Sequence, residues 1–263
     1  MGAQDLSILS LAGLLIFLIP VLIISQYLKL KITGSIFIGV IRMSVQLCFV
    51  GIYLEVLFRL NSPVLNMAYL LLMVLIACHA ILRASNLKLR IFFIPLFFAL
   101  ALPFTGILFY FNTMVVQVDS LFDARYMIPI GGMLLGNCLR SIIIGLTQFY
   151  SGIKNKEKEY LYSLSLYGSQ MQALKPWVRQ SIVSAINPTL ASMATIGLVS
   201  LPGMMTGQIL GGSLPMVAIK YQIAIMAAIF YTEYFSVILS LVFSIKWGFN
   251  SLNILNSDIF KQD

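Results

Sequence analysis

Ionisable residues inside apolar stretches carry the first chemical information in this chain. Glu233 stands in the run 219–243 beside Thr232, and Arg140 stands in 127–149, three residues after Asn137 on the same helical face. Arg42 lies in 35–58 with Gln46 one turn on, and His79 lies toward the end of 64–82. An ionisable group at bilayer depth costs about 2.5–3.5 kcal/mol on insertion scales, so such groups either pair with one another or serve function. Two readings stand together. In one, an internal Arg–Glu ion pair holds the helices. In the other, Glu233 is a cation site whose charge state an arginine controls. His79 snorkels, caps a helix contact, or acts as a ligand.

The second chemical segment is 197–215, GLVSLPGMMTGQILGGSLP. Met204, Met205, Thr206 and Gln208 sit among glycines there. Carboxylate and amide oxygens suit ferrous ion and thioethers suit softer metals, which makes Glu233 and Met204 the candidate metal ligands and leaves the metal open. Pro202 and Gly203 are expected to break the sixth helix near its outer end. Gly203, Gly207 and Gly211 recur every four residues, the spacing that lets helix backbones approach closely in lipid, and Gly132 and Gly136 repeat it. Tight packing alone accounts for the glycines. A broken helix lining a path accounts for the glycines and the polar residues together. Cys48, Cys78 and Cys138 all fall in apolar runs, where thiols act as small hydrophobes or as soft ligands and not as a disulfide framework.

These residues need elements to position them. Of 263 residues 60% are apolar and 10% charged, with a mean hydropathy of +0.95. A soluble domain of this size cannot hide so much apolar surface, and the composition excludes disorder. Seven windows reach the length of about 20 apolar residues that a spanning helix needs: 6–27, 35–58, 64–82, 91–111, 127–149, 181–202 and 219–243. None alternates as barrel strands do. The expected fold is an all-α integral membrane protein of about seven transmembrane helices, a single permease domain over 1–263. The first window follows only Asp5, without a basic residue before it or a cleavage site after it, so it is not expected to be a signal peptide. Met1-Gly2 begins like a myristoylation signal, but Leu6 stands where Ser or Thr is wanted. Lys29, Lys31, Arg83, Lys88, Arg90, Lys154, Lys156, Lys158, Lys175, Arg179, Lys246 and Lys261 fall on one side of this arrangement, and only Arg59 and Arg125 on the other. The positive-inside rule then places the N-terminus outside and the C-terminus in the cytoplasm of a multi-pass protein of the cell (inner or plasma) membrane. The charge of +8 reflects topology and anionic lipid, and no nucleic-acid motif accompanies it. The stretch 112–126 is an acidic outer loop with Asp119 and Asp123.

The sizeable polar segment, 150–180, is expected on the cytoplasmic side as short helices, with stops at Gly168 and Pro176. It serves either as a solvated connector or as a docking surface for a soluble partner; thirty residues is long for the former. There is no P-loop, no H-E-x-x-H, no G-x-S-x-G and no C-x-x-C. The chain is not expected to be an enzyme, and energy must come from an ion gradient or a partner.

MIPIGGMLLGN at 127–137, and GLVSLPGMMTGQILGGSLPMVAIKYQI at 197–223, resemble the FetB-type iron export permease family, related to plant aluminium-tolerance permeases. The unbroken SLPGMMTGQ followed by AIKYQI carries the likeness. In the cytoplasmic segment the family's L-x-L-G-A element, Pro and Arg correspond to Leu164, Leu166, Gly168, Pro176 and Arg179; Tyr167 intervenes before Gly168, and Ser replaces Ala after it. The resemblance implies the membrane subunit of an ABC transporter, a homodimeric permease joined to a cytoplasmic ATPase subunit. ATP and Mg are bound by that subunit, and no cofactor by this chain. It implies export of iron, with ATPase coupling through the residues just named. The substrate path would then run past Glu233, Met204, Met205, Gln208, Asn137, Arg140 and Arg42. Two other readings remain: the same machinery carrying a nucleotide sugar or other polar solute on Arg42 and Arg140, and a membrane scaffold whose glycines only pack.

Overall fold

Lipid offers the backbone no hydrogen-bond partner, so apolar runs of this length fold as helices that satisfy their own N–H and C=O groups. The computed structural model describes residues 7–118 and 120–261. Met1, Gly2, Asp5, Leu6 and Asp119 lie outside the described residues. The chain runs α1 (Ile8–Leu15), α2 (Leu18–Tyr27), α3 (Thr33–Leu60), α4 (Pro63–Ala84) and α5 (Leu89–Tyr110), which a π-helical turn extends to Val116. It continues through α6 (Ala124–Asn155), α7 (Glu157–Tyr167), α8 (Gln170–Thr195), α9 (Gly203–Leu210) and α10 (Pro215–Gly248). Local chemistry sets the ends. Pro63 and Pro215 open their helices, where the missing N–H costs nothing. The Asp123 side chain accepts from the Arg125 N–H at the start of α6, and Gly168 closes α7 with φ of 61°.

Six helices are long and apolar enough to cross a bilayer: Leu9–Tyr27, Thr33–Leu60, Pro63–Ala84, Leu89–Val116, Ala124–Asn155 and Pro215–Gly248. The seventh expected window, 181–202, is not one continuous helix. The helix there starts earlier, at Gln170, carries Gln172, Lys175, Arg179 and Gln180 on the way in, and stops at Thr195. The polar segment 150–180 is correspondingly the end of α6, all of α7 and the start of α8. Pro176 is no boundary but lies in the second turn of α8. Its ring removes the bond to the Gln172 carbonyl, yet both residues are exposed, so no buried group is stranded.

The core lies between α4, α5, α6 and α10, with α8 laid against α6 and α10. Phe92, Leu100 and Phe104 of α5 meet Leu134, Cys138 and Ile142 of α6 and Val237 and Leu241 of α10 in one buried cluster. The arm α1–α3 stands apart. It joins the bundle through Leu57 near the end of α3, against Ala124, Ile128 and Tyr69. At the basic end residues 250–261 fold back. The Lys88 N–H donates to the Ile259 carbonyl at 2.8 Å and the Lys261 N–H to the Asn86 carbonyl at 3.0 Å. Tyr160 of α7 donates its hydroxyl to the Asn253 carbonyl at 2.6 Å.

Candidate substrate path

Glycine at position 145 sets the geometry of the site. A Cβ there would stand 3.3 Å from Val237 Cγ1 and 3.5 Å from Ala185 Cβ, so α6, α8 and α10 meet at this level. α6 and α10 run parallel and α8 runs against them, as the contact of Gly152 with Trp177 also requires. One turn along each helix lie Ser141, Thr189 and Glu233. Glu233 is 1% exposed, Thr189 and Ser141 turn their hydroxyls toward it, and its Oε2 has no hydrogen-bond partner. A buried carboxylate oxygen without a donor is costly unless something else completes it. Cys138, fully buried, and Ser236 adjoin this layer. Along α10 the small residues Thr232, Ser236, Ser240, Ser244 and Gly248 recur every four positions on the buried face. The Ser236 and Ser240 hydroxyls have no partner.

Beside this layer a membrane-depth helix stops. An α-helix rises about 1.5 Å per residue, so Thr195, ten residues past Ala185, ends about 16 Å short of the level where α6 begins. The chain then turns on Gly197, whose φ is 86°, a conformation glycine adopts without a Cβ penalty. The Gly197 N–H donates to the Ser200 carbonyl at 2.9 Å, and the Leu198 and Val199 N–H groups to Thr195. Pro202 opens α9, which packs back on the first turns of α10. The break therefore begins at Thr195, not at Pro202 and Gly203; Pro202 is where helix resumes.

Met204 of α9 packs on the core and Met205 is half-buried. The Gln208 Oε1 is buried without a partner. Gly203 and Gly207 have open space where a Cβ would be, and Gly211 meets only the Gly207 and Gln208 carbonyls. That ladder serves no helix contact within one chain, and Gly136 is likewise open. The close approaches fall instead at Gly131, Gly145 and Gly248. Asn137 bonds to the Met133 carbonyl at 2.8 Å. Arg140 is exposed; its charge acts on Glu233, but the ion pairs among the described residues are Glu55–Arg59 and Lys156–Glu159, both at exposed positions. The expected Arg–Glu pair is therefore not formed by Arg140 or Arg42. Arg42 and Gln46 lie apart on α3, in a cavity of about 780 Å³ shared with Tyr53, Tyr69 and Met73. His79 is exposed. Among the described residues no three His, Cys, Asp or Glu side chains cluster to hold a metal ion. At the basic end Leu164 packs on the core, Leu166 is exposed, and Pro176 and Arg179 line a groove of about 880 Å³ with Tyr167, Gln172 and Lys175.

Residues 8–249 match the family described as Uncharacterised protein family UPF0014. The chain belongs to this family. UPF0014 relatives include the membrane protein YjkA of Bacillus subtilis, 33% identical over 83% of this chain and 86% of that protein. The protein ALUMINUM SENSITIVE 3 of Arabidopsis thaliana is 32% identical over 82% of this chain and 77% of its own length. The probable iron export permease protein FetB of Escherichia coli is 31% identical over 95% of both chains. The UPF0014 match agrees with the resemblance carried by SLPGMMTGQ, and with the apolar helices it makes the chain a multi-pass membrane protein. No solved structure matches.

Proposed function

We propose that this chain is the permease subunit of an ABC transporter that exports iron, with ATP and Mg bound in a separate cytoplasmic ATPase subunit. The observation that carries the reading is the discontinuous pair α8 and α9, broken at membrane depth about 9 Å along the bundle from the level of the buried Glu233 carboxylate. Irregular backbone at such a depth belongs where it lines a protein or water-filled cavity. The relative named as a probable iron export permease matches over nearly the whole chain and supports iron as cargo. In this reading α8, the break and α9 together make the seventh crossing, the N-terminus lies outside and the basic end faces the cytoplasm. The exposed Leu166, Gly168, Pro176 and Arg179, with Leu164 behind them, receive the ATPase stroke, and two permease copies work together.

Glu233 with the Ser141 and Thr189 hydroxyls offers oxygen donors that suit ferrous ion. α9 flanks only the first turns of α10, and Glu233 lies about 27 Å along that helix. Met204 and Glu233 are therefore successive stations on the path and not one ligand set.

The test is ATPase activity of the chain reconstituted with its cognate ATPase subunit and titrated with ferrous iron. Saturable stimulation that Glu233→Gln abolishes is expected. Stimulation unchanged in the variant removes Glu233 from the path, and a flat response of the wild type removes iron.

A further inference from the structure

The outward faces of the bundle helices differ in kind. Those of α4, α5 and α10 are apolar, as Leu72, Phe98 and Phe235 illustrate, and suit lipid. Those of α6 and α8 are mixed: Arg140, Thr147, Gln180 and Asn187 are exposed there at membrane depth, beside the apolar Val183 and Leu190. Toward the basic end the same face opens into the groove holding Lys175 and Arg179. α6 and α8 contain no Asp or Glu. The acid nearest Arg140 in the bundle is Glu233, which reaches it only through space and is buried on the far side of the Ser141 layer.

An exposed arginine at this depth needs an anion. A second copy of the chain laid on this face about a two-fold axis brings the same cations and no carboxylate, so self-association cannot supply one. A lipid phosphate can reach Lys175 and Arg179 at the end of the bundle. Arg140 lies about 16 Å deeper along the helix axes, beyond the headgroup layer.

We infer that the α6/α8 face binds its cargo as an oxyanion, a phosphate or polycarboxylate group that Lys175 and Arg179 receive in the groove and Arg140 holds at membrane depth. This deepens the permease reading and rests on it. Iron would reach this face as an anionic chelate whose oxygens meet Arg140. A guanidinium suits this role because its planar fork matches carboxylate and phosphate oxygens in pairs.

The test uses the purified full chain in nanodiscs of zwitterionic lipid without any ATPase, with calorimetric titration of pyrophosphate, citrate and ferric citrate. The expected result is saturable binding, weakened about tenfold or more in Arg140→Gln, since hydrogen bonds to charged groups contribute about 1.5–3 kcal/mol, and weakened less in Arg140→Lys, which keeps the charge and loses the fork. Lys175→Gln, an exposed change that leaves the fold intact, should also weaken binding and stands in if Arg140→Gln fails to fold. Phosphate probes and citrate separate the two sources of the oxyanion, and discs containing phosphatidylglycerol form a third arm. No saturable binding, binding indifferent to both substitutions, or binding abolished whenever anionic lipid is present would each overturn the inference. Oxyanion binding with no iron-stimulated ATPase activity removes the iron reading alone. Iron stimulation without oxyanion binding removes this one alone.

Discussion

Replacing Gly145 by leucine tests whether the junction of α6, α8 and α10 is as close as described. The first added carbon already stands 3.3 Å from Val237 Cγ1 and 3.5 Å from Ala185 Cβ, with the Ser181 carbonyl oxygen at 4.0 Å. Alanine is therefore accommodated with a shift of a few tenths of an ångström, while leucine drives three more carbons into space held by a β-branched side chain and backbone. Overpacking of this kind costs about 1–3 kcal/mol. At about 2–4 °C per kcal/mol for a chain of this size, the leucine variant should melt about 2–12 °C below wild type in detergent and the alanine variant within about 2 °C. Val237→Ala removes the methyl that the new side chain strikes. The double variant should recover part of the loss, although Val237→Ala alone costs stability. Thermal melting of the four proteins closes the cycle. A leucine variant that melts with wild type, or a double variant with strictly additive losses, would refute the close junction and with it the alignment that places Ser141, Thr189 and Glu233 in one layer.

Three further outcomes follow from the basic end. Gly248→Ala sets a Cβ 2.7 Å from Tyr150 Oη and 2.9 Å from its Cε1; since that ring is fully buried, melting should fall by about 1–3 kcal/mol equivalent, and Tyr150→Phe should relieve part of it. Tyr160→Phe removes the 2.6 Å bond to the Asn253 carbonyl, at about 1–2 kcal/mol, and limited proteolysis should then cut within 250–261 sooner than in wild type. Burial raises the Tyr160 phenol above its ordinary value of 10.0. Its contribution is therefore full below pH 10 and is lost as pH rises through the raised value, so protease protection of 250–261 should hold up to pH 10 and weaken above it.

The helices legible in the sequence are those that lipid or core surrounds on all sides. Uniform apolarity over twenty residues is a complete signal for α3, α4, α5 and α10. It misplaces α8, because the first half of that helix carries Gln170, Gln172, Lys175, Arg179 and Gln180, while its buried line runs along Ala173, Leu174, Ser181, Ala185, Ile186 and Thr189. The single residues Glu233, Asn137 and Arg140 are legible because a charge or amide in an apolar run stands out. Their partners are not: Ser141 and Thr189 are ordinary polar residues until antiparallel packing brings them level with Glu233. The four-residue recurrence from Thr232 to Gly248 was present in the sequence as a signal of a close-packed face. The loop at 196–202 could be located only to within several residues, since proline marks where a helix can start as readily as where one must end.

The fold-back of residues 250–261 onto the turn between α4 and α5 also orders the protein's synthesis. That turn is among the earlier parts to leave the ribosome, yet Leu87 acquires its antiparallel neighbour Phe260 only when the last described residues emerge. Lys154 likewise lacks the aromatic ring that lies 4.6 Å from its Nζ until then. The bundle is inserted helix by helix with this end unlatched, and the latch closes once translation reaches it. A nascent chain carrying Asn86→Cys and halted after α10 should therefore hold all its apolar helices and still leave that thiol open to labelling, which synthesis through residue 261 should close.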